Sequence, residues 1–383
     1  MNYLKSKVCF STYQACPSFP VSINRSPSIL KFLFVCFALV GVIFIHGCSD
    51  ELVSVDKQIF RTQQFNWQTT EIQQGNFTDL WADRSNVVYM LSYDDRSLYK
   101  LSDKNLTQFY AGDYNLYSMD AVSENAIYIF GISQDFQLTF IKWNGSGFEY
   151  IPSGVFLDQY GSSWMRGCVI TPDEAWICSQ TSIIQSQGGN ITTYIYPDST
   201  MVPKSIFKSP GGKIQVICEK YISGLHIQKI YELQDGSFAE VYEHAEPYLQ
   251  STTRTFIGQL NGSVFQQVYK FEGESASICV RSYDGSAFNE MYCLSNKINM
   301  IRELDGNLFG ELILYGETYQ DPYQYPKRQI FTWNGTFLSR EIEMPDPPAI
   351  MDYQVKIKSV NPDLVHIMHN GEELTKILTG TRK

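Results

Sequence analysis

The side chains able to do acid–base or metal chemistry are few and scattered in this 383-residue sequence. Beyond residue 50 the histidines are His226, His244, His366 and His369. His366 and His369 lie three positions apart on or beside a predicted strand, where alternation points them to opposite faces. A shared metal site is therefore not expected, and neither a metal nor a cofactor is predicted.

Motifs that activate a nucleophile or bind phosphate do not occur in the sequence. There is no Gly-x-Ser-x-Gly turn, no Cys-x-x-Cys pair and no phosphate-binding glycine loop. Adjacent carboxylates such as Asp94-Asp95 and Glu372-Glu373 are typical of solvated turns. No catalytic residue is predicted, and a glycosidase or lyase with carboxylates across a central channel is the alternative to a binding protein.

The strongest candidates for ligand binding are aromatic and acidic side chains in the longest predicted connections. Those connections cover residues 154–164, 219–226, 244–251 and 315–328, and they also hold Asp158, Glu246 and Tyr319. Rigid aromatic rings beside polar groups suit the recognition of peptide surfaces or sugar rings. The predicted ligand-binding residues are Tyr160, Trp164, Tyr248, Asp321, Tyr323 and Tyr325, and the predicted ligand is a protein or a carbohydrate.

The elements that must position these residues are strands. The composition is that of a globular protein, with 44% hydrophobic and 18% charged residues and a net charge of −10. That charge gives no basic surface for nucleic acid, which is not an expected partner. Short alternating runs rich in Val, Ile, Tyr and Phe recur between turn residues, and no helical period persists, so the body is predicted to be all-β.

Seven strand–turn–strand units follow one another along the chain. Their second strands open with an apolar anchor, and the anchors are spaced 38 to 56 residues apart: Tyr89, Tyr128, Trp176, Ile214, Phe265, Phe309 and Val365. Four strands and four turns consume about 40 to 50 residues, which is the period of a propeller blade. The prediction is a single seven-bladed β-propeller over residues 65–383, with six or eight blades as alternatives.

The last blade lacks a strand of its own. After Asn370-Gly371 only one further strand, Glu373 to Leu378, is predicted before the chain ends. The alternating segment from Phe65 to Ile72 precedes the first blade, and pairing it into the last blade would close the ring and cover an exposed edge.

The N-terminal segment has the layout of an export signal. Residues 1–47 contain basic but no acidic residues, and an apolar run from Phe32 to Ile45 is too short to span a bilayer comfortably. The run ends at Ile45-His46-Gly47-Cys48, which resembles the lipobox of bacterial lipoproteins although His46 departs from that pattern. The resemblance implies a cleaved signal peptide over 1–47, a lipid on Cys48 and a tether over 48–64.

The body resembles bacterial propellers of the Kelch and tryptophan-aspartate-repeat kind, without either full signature. This implies an exported binding or scaffolding module held to a membrane by its N-terminal lipid. The expected location is the cell envelope, facing the periplasm or the exterior, with the outer membrane favoured over the inner. The alternative is a eukaryotic secretory protein with glycans on the sequons at Asn76, Asn105, Asn144, Asn190, Asn261 and Asn334.

Five cysteines remain after the predicted processing: Cys168, Cys178, Cys218, Cys279 and Cys293. An oxidising compartment permits disulfides, and the pairing is left open. Cys168 and Cys178 flank a tight turn, and the favoured interpretation is that they are small buried hydrophobes on adjacent strands.

Overall fold

The computed structural model describes residues 59–60, 64–84, 86–157, 165–179, 182–247, 254–257, 264–272, 275–295, 300–306, 312–318, 327–334, 338–344, 354–370 and 374–383. The chain divides into Met1–Ser54 and Val55–Lys383. The predicted signal peptide and Cys48 lie outside the described residues. Within the described ranges, no helix has the length and hydrophobicity needed to cross a bilayer.

Two strands precede the first blade, β1 (Ile59–Phe60) and β2 (Phe65–Ile72). Blades one to three comprise β3 (Phe77–Arg84), β4 (Val87–Ser92), β5 (Ser97–Ser102), β6 (Asn105–Ala111), β7 (Asn115–Ser123), β8 (Ala126–Ile132), β9 (Gln137–Trp143), β10 (Phe148–Phe156), β11 (Arg166–Thr171), β12 (Glu174–Cys178), β13 (Ser182–Gln187) and β14 (Asn190–Ile195).

Blades four and five comprise β15 (Val202–Lys208), β16 (Ile214–Ile222), β17 (Leu225–Gln234), β18 (Ser237–Pro247), β19 (Arg254–Ile257), β20 (Val264–Glu272), β21 (Ser275–Tyr283) and β22 (Phe288–Ser295). Blades six and seven comprise β23 (Met300–Gly306), β24 (Leu312–Thr318), β25 (Lys327–Trp333), β26 (Leu338–Glu343), β27 (Gln354–Asn361), β28 (Leu364–Asn370) and β29 (Thr375–Arg382).

The strands form seven sheets of four antiparallel strands, with β1 added in parallel to the outer edge of the sixth, which confirms the prediction of an all-β, seven-bladed propeller over six or eight blades. In blades one to six the four strands follow chain order. Blade seven has the order β27, β28, β29 and β2, so three C-terminal strands are completed by one N-terminal strand. The predicted closure is therefore confirmed. The last strand runs over Thr375–Arg382, which is longer than the Glu373–Leu378 expected from the sequence.

Burial follows the position of each strand in its blade. The second strands β4, β8 and β28 are buried at every residue, because each is covered on both faces by neighbouring blades. In the outer strand β6 every residue except the buried Tyr110 is exposed or partly buried. The predicted anchors Tyr89, Tyr128 and Trp176 are almost completely buried between blades.

Carboxylates on the inner strands link one blade to the next. The backbone N–H of Met119 donates to Asp79 at 3.0 Å, that of Val169 donates to Asp120 at 2.8 Å, and that of Ser359 donates to Asp305 at 2.7 Å. These bonds join blades one to two, two to three and six to seven. Buried amides and carboxylates satisfy each other there, which avoids the cost of burying either alone.

In the sequence Leu304-Asp305-Gly306 the Asp-Gly pair predicts a hairpin turn, and this prediction is wrong. All three residues lie in β23, and Asp305 is buried. Asp-Gly is the commonest hairpin signal. Here the backbone N–H of Gly306 donates to the Asp305 carboxylate instead, and that carboxylate is held by the neighbouring blade.

The residues just before the closing strand β2 are also bound to blade six. Strand β1, inside the predicted tether, pairs in parallel with the outer strand β26. The buried Glu341 carboxylate of β26 accepts hydrogen bonds from the backbone N–H groups of Gln64 and Phe65 at 2.9 to 3.1 Å, and from Trp67 Nε1 at 3.4 Å. Thr332 Oγ1 donates to it at 2.8 Å. One carboxylate thus fixes the point where the closing strand enters blade seven.

The cysteines divide between two environments. Cys168, Cys178 and Cys218 are free, and Cys178 and Cys218 belong to one apolar cluster between blades three and four. Cys168 and Cys178 are on adjacent strands without a disulfide, as favoured from the sequence. Cys279 and Cys293 face each other across β21 and β22 and form a disulfide.

We predict that Glu341→Ala loosens the closing strand. Several buried donors would lose their acceptor, so the free energy of unfolding should fall by about 3 kcal/mol, and the amides of β2 should exchange faster. Urea unfolding and hydrogen exchange measure the two effects.

Glu343→Ala in the same strand is the matched control. The side chain of Glu343 is 42% exposed and pairs with Lys327 and Arg340 at the surface, where such pairs contribute at most about 1 kcal/mol. It also accepts one hydrogen bond from Gln329 Nε2 at 3.1 Å, compared with the several that Glu341 accepts. Equal losses in the two variants would contradict the role given to Glu341.

Candidate functional site

The sequence segments that contain the predicted ligand-binding residues connect described strands whose ends lie on one face of the ring. Antiparallel blades of four strands place two sets of connections on this face, those between the second and third strands and those leading to the next blade. We call this the long-loop face. Tyr160, Trp164, Tyr248, Asp321, Tyr323 and Tyr325 all lie outside the described residues, so they stay predictions, as does the lipidation of Cys48.

Two of the predicted long connections are strand in the structure. Strand β16 continues to Ile222 and β17 begins at Leu225, so the expected loop 219–226 is a hairpin with only Ser223 and Gly224 at its turn. Ser223 and Gly224 have φ of 52° and 78°, which fits the tight turn that hairpins favour. Strand β18 likewise continues to Pro247 into the expected loop 244–251. The three strands form an extended sheet on the long-loop face of blade four.

This extension brings histidines and glutamates together. In the register Tyr221 faces His226, which faces Glu246, and opposed residues share one face of a sheet. Glu219 lies two residues before Tyr221 on the same face. The result is a cluster of Glu219, Tyr221, His226, His244 and Glu246, which we call the blade-four cluster.

The imidazole of His226 is buried between two carboxylates. Its Nε2 lies 3.6 Å from Glu219 Oε2, and its Nδ1 lies 3.5 Å from Glu246 Oε1. The other oxygen of Glu246 lies 3.5 Å from His244 Nε2. The ring of Tyr221 stacks on the imidazole, with centroids 4.6 Å apart and an interplanar angle of 15°.

These contacts hold His226 as a cation. Hydrogen bonding to Glu219 and then to Glu246 raises its pKa to about 9, although burial works in the opposite direction. The Tyr221 ring face adds a favourable contact for an imidazolium. Because both ring nitrogens are directed at carboxylates, His226 is not poised as a general base at neutral pH. The cluster is suited to stiffening the hairpin.

A chain of amides continues from the cluster to blade five. Gln228 Nε2 donates to Glu219 Oε1 at 3.3 Å, and Gln266 Nε2 donates to Gln228 Oε1 at 2.8 Å. Gln228 and Gln266 are both buried. The extended hairpin of blade four is therefore bound to blade five, and these hydrogen bonds hold the base of the hairpin in place.

Exposed apolar side chains concentrate on the long-loop face. Among the described residues, seven of the nine exposed large hydrophobic side chains lie there, at strand ends or in connections of blades one to four: Tyr93, Phe136, Phe156, Ile195, Tyr221, Ile222 and Leu225. The remaining two are Val122, near the end of β7 on the opposite face, and Tyr150, within an outer strand. Gathering exposed apolar side chains on one face does not stabilise an isolated chain. Such a patch is typical of a surface that contacts another molecule.

The other histidines have structural positions. His366 Nε2 lies 2.8 Å from the carbonyl oxygen of Arg84 in blade one, whereas His369 stacks on Tyr315 of blade six. The expectation that they point to opposite faces is confirmed. Burial lowers the pKa of each to about 4, so both are neutral at physiological pH.

The sequence named Glu246, His226 and His244 separately but did not place them together, and it gave no role to Glu219 or Tyr221. The signal that could have found them is alternation. Positions 219 and 221, 226 and 228, and 244 and 246 are spaced by two residues, which puts each pair on one face if the strands continue. Reading 219–226 as a loop removed that inference.

Comparisons with known proteins support the fold and name no family. No family model matches the chain, and no curated protein matches it. It is similar in structure to a streptogramin B lyase at 13% identity and a TM-score of 0.53, covering 82% of this chain and 98% of the other. It is similar to the Cps50 (Swd1) β-propeller domain of Myceliophteria thermophila at 8% identity and 0.54, covering 82% and 99%.

A third similar structure is the hydrazine synthase of Kuenenia stuttgartiensis, at 10% identity and a TM-score of 0.53, covering 82% of this chain and 97% of the other. At these identities the likeness concerns the propeller fold alone. The three similar proteins differ from one another, which is consistent with a fold that hosts unrelated functions.

We predict that stability falls at alkaline pH through His226. A histidine whose pKa is raised from 6.5 to about 9 by folding stabilises the protein fully below pH 6.5, and this contribution is lost as pH rises through 9. The loss should be on the order of 3 kcal/mol. His226→Gln should remove the pH dependence of the unfolding free energy over this range, as measured by urea titration.

His366→Gln is the control, because the pKa of His366 is lowered to about 4 and the group does not titrate between pH 6.5 and 9. That variant should keep the alkaline slope of the wild type. A normal imidazole titration of His226 by NMR would contradict the assignment.

Proposed function

We propose that this protein is an exported, lipid-anchored β-propeller that binds a protein partner through its long-loop face. The observation that carries the proposal is the concentration of exposed apolar side chains on that face. They extend over four successive blades, from Tyr93 in blade one to Leu225 in blade four. A surface this broad is typical of protein interfaces rather than of a small-molecule pocket.

The mixture of side chains favours a protein over a carbohydrate. Ile195, Ile222 and Leu225 are exposed aliphatic residues, and Ile195 is 79% exposed. Sugar rings stack on aromatic faces, whereas aliphatic side chains become buried at protein interfaces. Tyr221, which is 56% exposed over the rigid imidazole of His226, would be an anchor within this surface.

Attachment to the membrane is assigned to Cys48. The chain is acidic, and an acidic body is not attracted to anionic lipid, so acyl chains would have to supply the affinity. At about 3.5 Å per residue, the segment between Cys48 and Ile59 would reach a few tens of ångströms. The proposed location is the cell envelope, facing the periplasm or the exterior.

A carbohydrate-active enzyme on the same scaffold is the second candidate. The observation that favours it is the pair of carboxylates, Glu219 and Glu246, on either side of His226. Both carboxylates are engaged by the imidazole, and Glu219 also lies 3.6 Å from Lys204 Nζ. Because these charges compensate each other inside the cluster, we favour binding over catalysis.

We predict that a photo-crosslinking amino acid at Ile222 or Ile195 gives a covalent adduct of discrete mass in the producing cells. The same amino acid at Val122, on the opposite face, is the matched control and should give none. Leu225→Asp should reduce the Ile222 adduct at least tenfold, since it places a charge at the centre of an apolar contact. Immunoblotting of the propeller measures the adducts.

Three outcomes would count against the proposal. Equal adducts from Val122 and Ile222 would indicate non-specific contact. Binding on a glycan array that is lost in Tyr221→Ser would identify a carbohydrate ligand. Release of a sugar product that disappears in Glu246→Gln would identify an enzyme.

We predict that radiolabelled palmitate enters the wild-type protein and is absent from Cys48→Ala, because the thiol of Cys48 is the acceptor. The variant should also leave the membrane fraction. Label that persists in Cys48→Ala would overturn the assignment of Cys48 as the lipidated residue. A mass shift with glycosidase and no label would identify a glycosylated secretory protein.

A further inference from the structure

The outer half of blade five brings together two sulfurs and a carboxylate. Cys279 of β21 lies directly opposite Cys293 of β22. One donor atom from each of Cys279, Glu290 and Cys293 lies within 4.8 Å of the other two. Among the described residues this is the one group of three such donors that meets that distance. It belongs to a different blade from the blade-four cluster.

A β-bulge places Glu290 in this group. In a regular strand Glu290 and Cys293 would point to opposite faces, because they are three residues apart. The register shifts between Val280 and Arg281, where Val280 faces Tyr292 and Arg281 faces Glu290. The extra residue turns the Glu290 carboxylate to the side of Cys293, with Oε1 3.2 Å from Sγ.

In the structure the two sulfurs are joined as a disulfide and are not thiolates. A dithiol reductant would transfer two electrons and two protons to the disulfide, giving two thiols while the reductant becomes a disulfide. A divalent cation would then displace the two thiol protons and bind two thiolates and the Glu290 carboxylate. Atoms and charges balance in both steps.

We propose that the reduced protein binds one zinc ion through Cys279, Cys293 and Glu290, with the fourth position open to water. Two thiolates about 2.3 Å from a tetrahedral zinc ion are roughly 3.8 Å apart, a separation within the reach of two cysteines that lie directly opposite each other on paired strands. Cys293 is half-buried and Glu290 is exposed, which leaves the ion an entry path from the outer edge of the blade. The inference does not depend on the partner or on the lipid anchor.

The remaining described cysteines are poor competitors for the ion. Cys168, Cys178 and Cys218 lie in blades three and four, and burial raises the pKa of each thiol. Among the described residues, none of them belongs to a group of three donor atoms within 4.8 Å of one another, so each lacks the further ligands that a zinc ion needs. These three cysteines therefore provide an internal control.

The test uses the mature chain, reduced with a dithiol, freed of reductant without oxygen and titrated with Co²⁺ and then Zn²⁺. One Co²⁺ per chain should bind with a thiolate charge-transfer band and the visible spectrum of tetrahedral cobalt, and Zn²⁺ should displace it. The oxidised protein should bind at least a hundredfold more weakly. Glu290→Gln should weaken binding about tenfold at unchanged stoichiometry, and Cys218→Ser should bind like the wild type.

Cys293→Ser should abolish the charge-transfer band that two thiolates produce, and circular dichroism checks that it is folded. A second measurement needs no variant, since Zn²⁺ should protect Cys279 and Cys293 of the reduced protein from alkylation, as read by peptide mass. Binding that is independent of reduction, or a reduced protein that binds no Co²⁺ and gains no protection, would overturn the site.

Discussion

Closure of the ring is the constraint on which the rest of the structure depends. Seven blades stack face to face only if the last is complete, and its outer strand, β2, comes from the opposite end of the sequence. The register of Phe65 with Arg382 through Ile72 with Thr375 is continuous over eight residues. Glu341 of blade six binds the backbone at the start of that strand. The junction between the two ends of the chain is therefore held by backbone pairing and by a buried carboxylate.

The polar interior of the ring follows from the same constraint. Inner strands converge, and their carboxylates accept backbone N–H groups of the next blade, as Asp120 does from Val169. Lys358 lies buried on the inner strand of blade seven, where burial lowers its pKa and the charges of Asp120 and Asp305 oppose that effect. Opposite charges so close to the axis compensate each other, which makes their burial tolerable.

The two faces of the ring differ because the connections on them differ in length and exposure. Turns such as Asp103-Lys104 and Asp235-Gly236 have positive φ and only join adjacent strands. The long-loop face carries the extended hairpin of blade four and the exposed apolar side chains. A scaffold whose stability comes from blade contacts leaves this face available to a ligand without cost to the fold.

The sequence by itself determined the strand content, the repeat of seven blades, the closing strand from Phe65 to Ile72 and the opposite orientations of His366 and His369. These depend on period-two patterns and turn residues, which are local. It could not place Asp305, because Asp-Gly predicts a turn unless the next blade supplies a donor. Nor could it join Glu219, His226 and Glu246 or pair Cys279 with Cys293, since strand length, register and the bulge before Cys293 are decided by contacts between strands and blades. Local pattern fixes the elements, and tertiary packing alone brings their side chains within bonding distance.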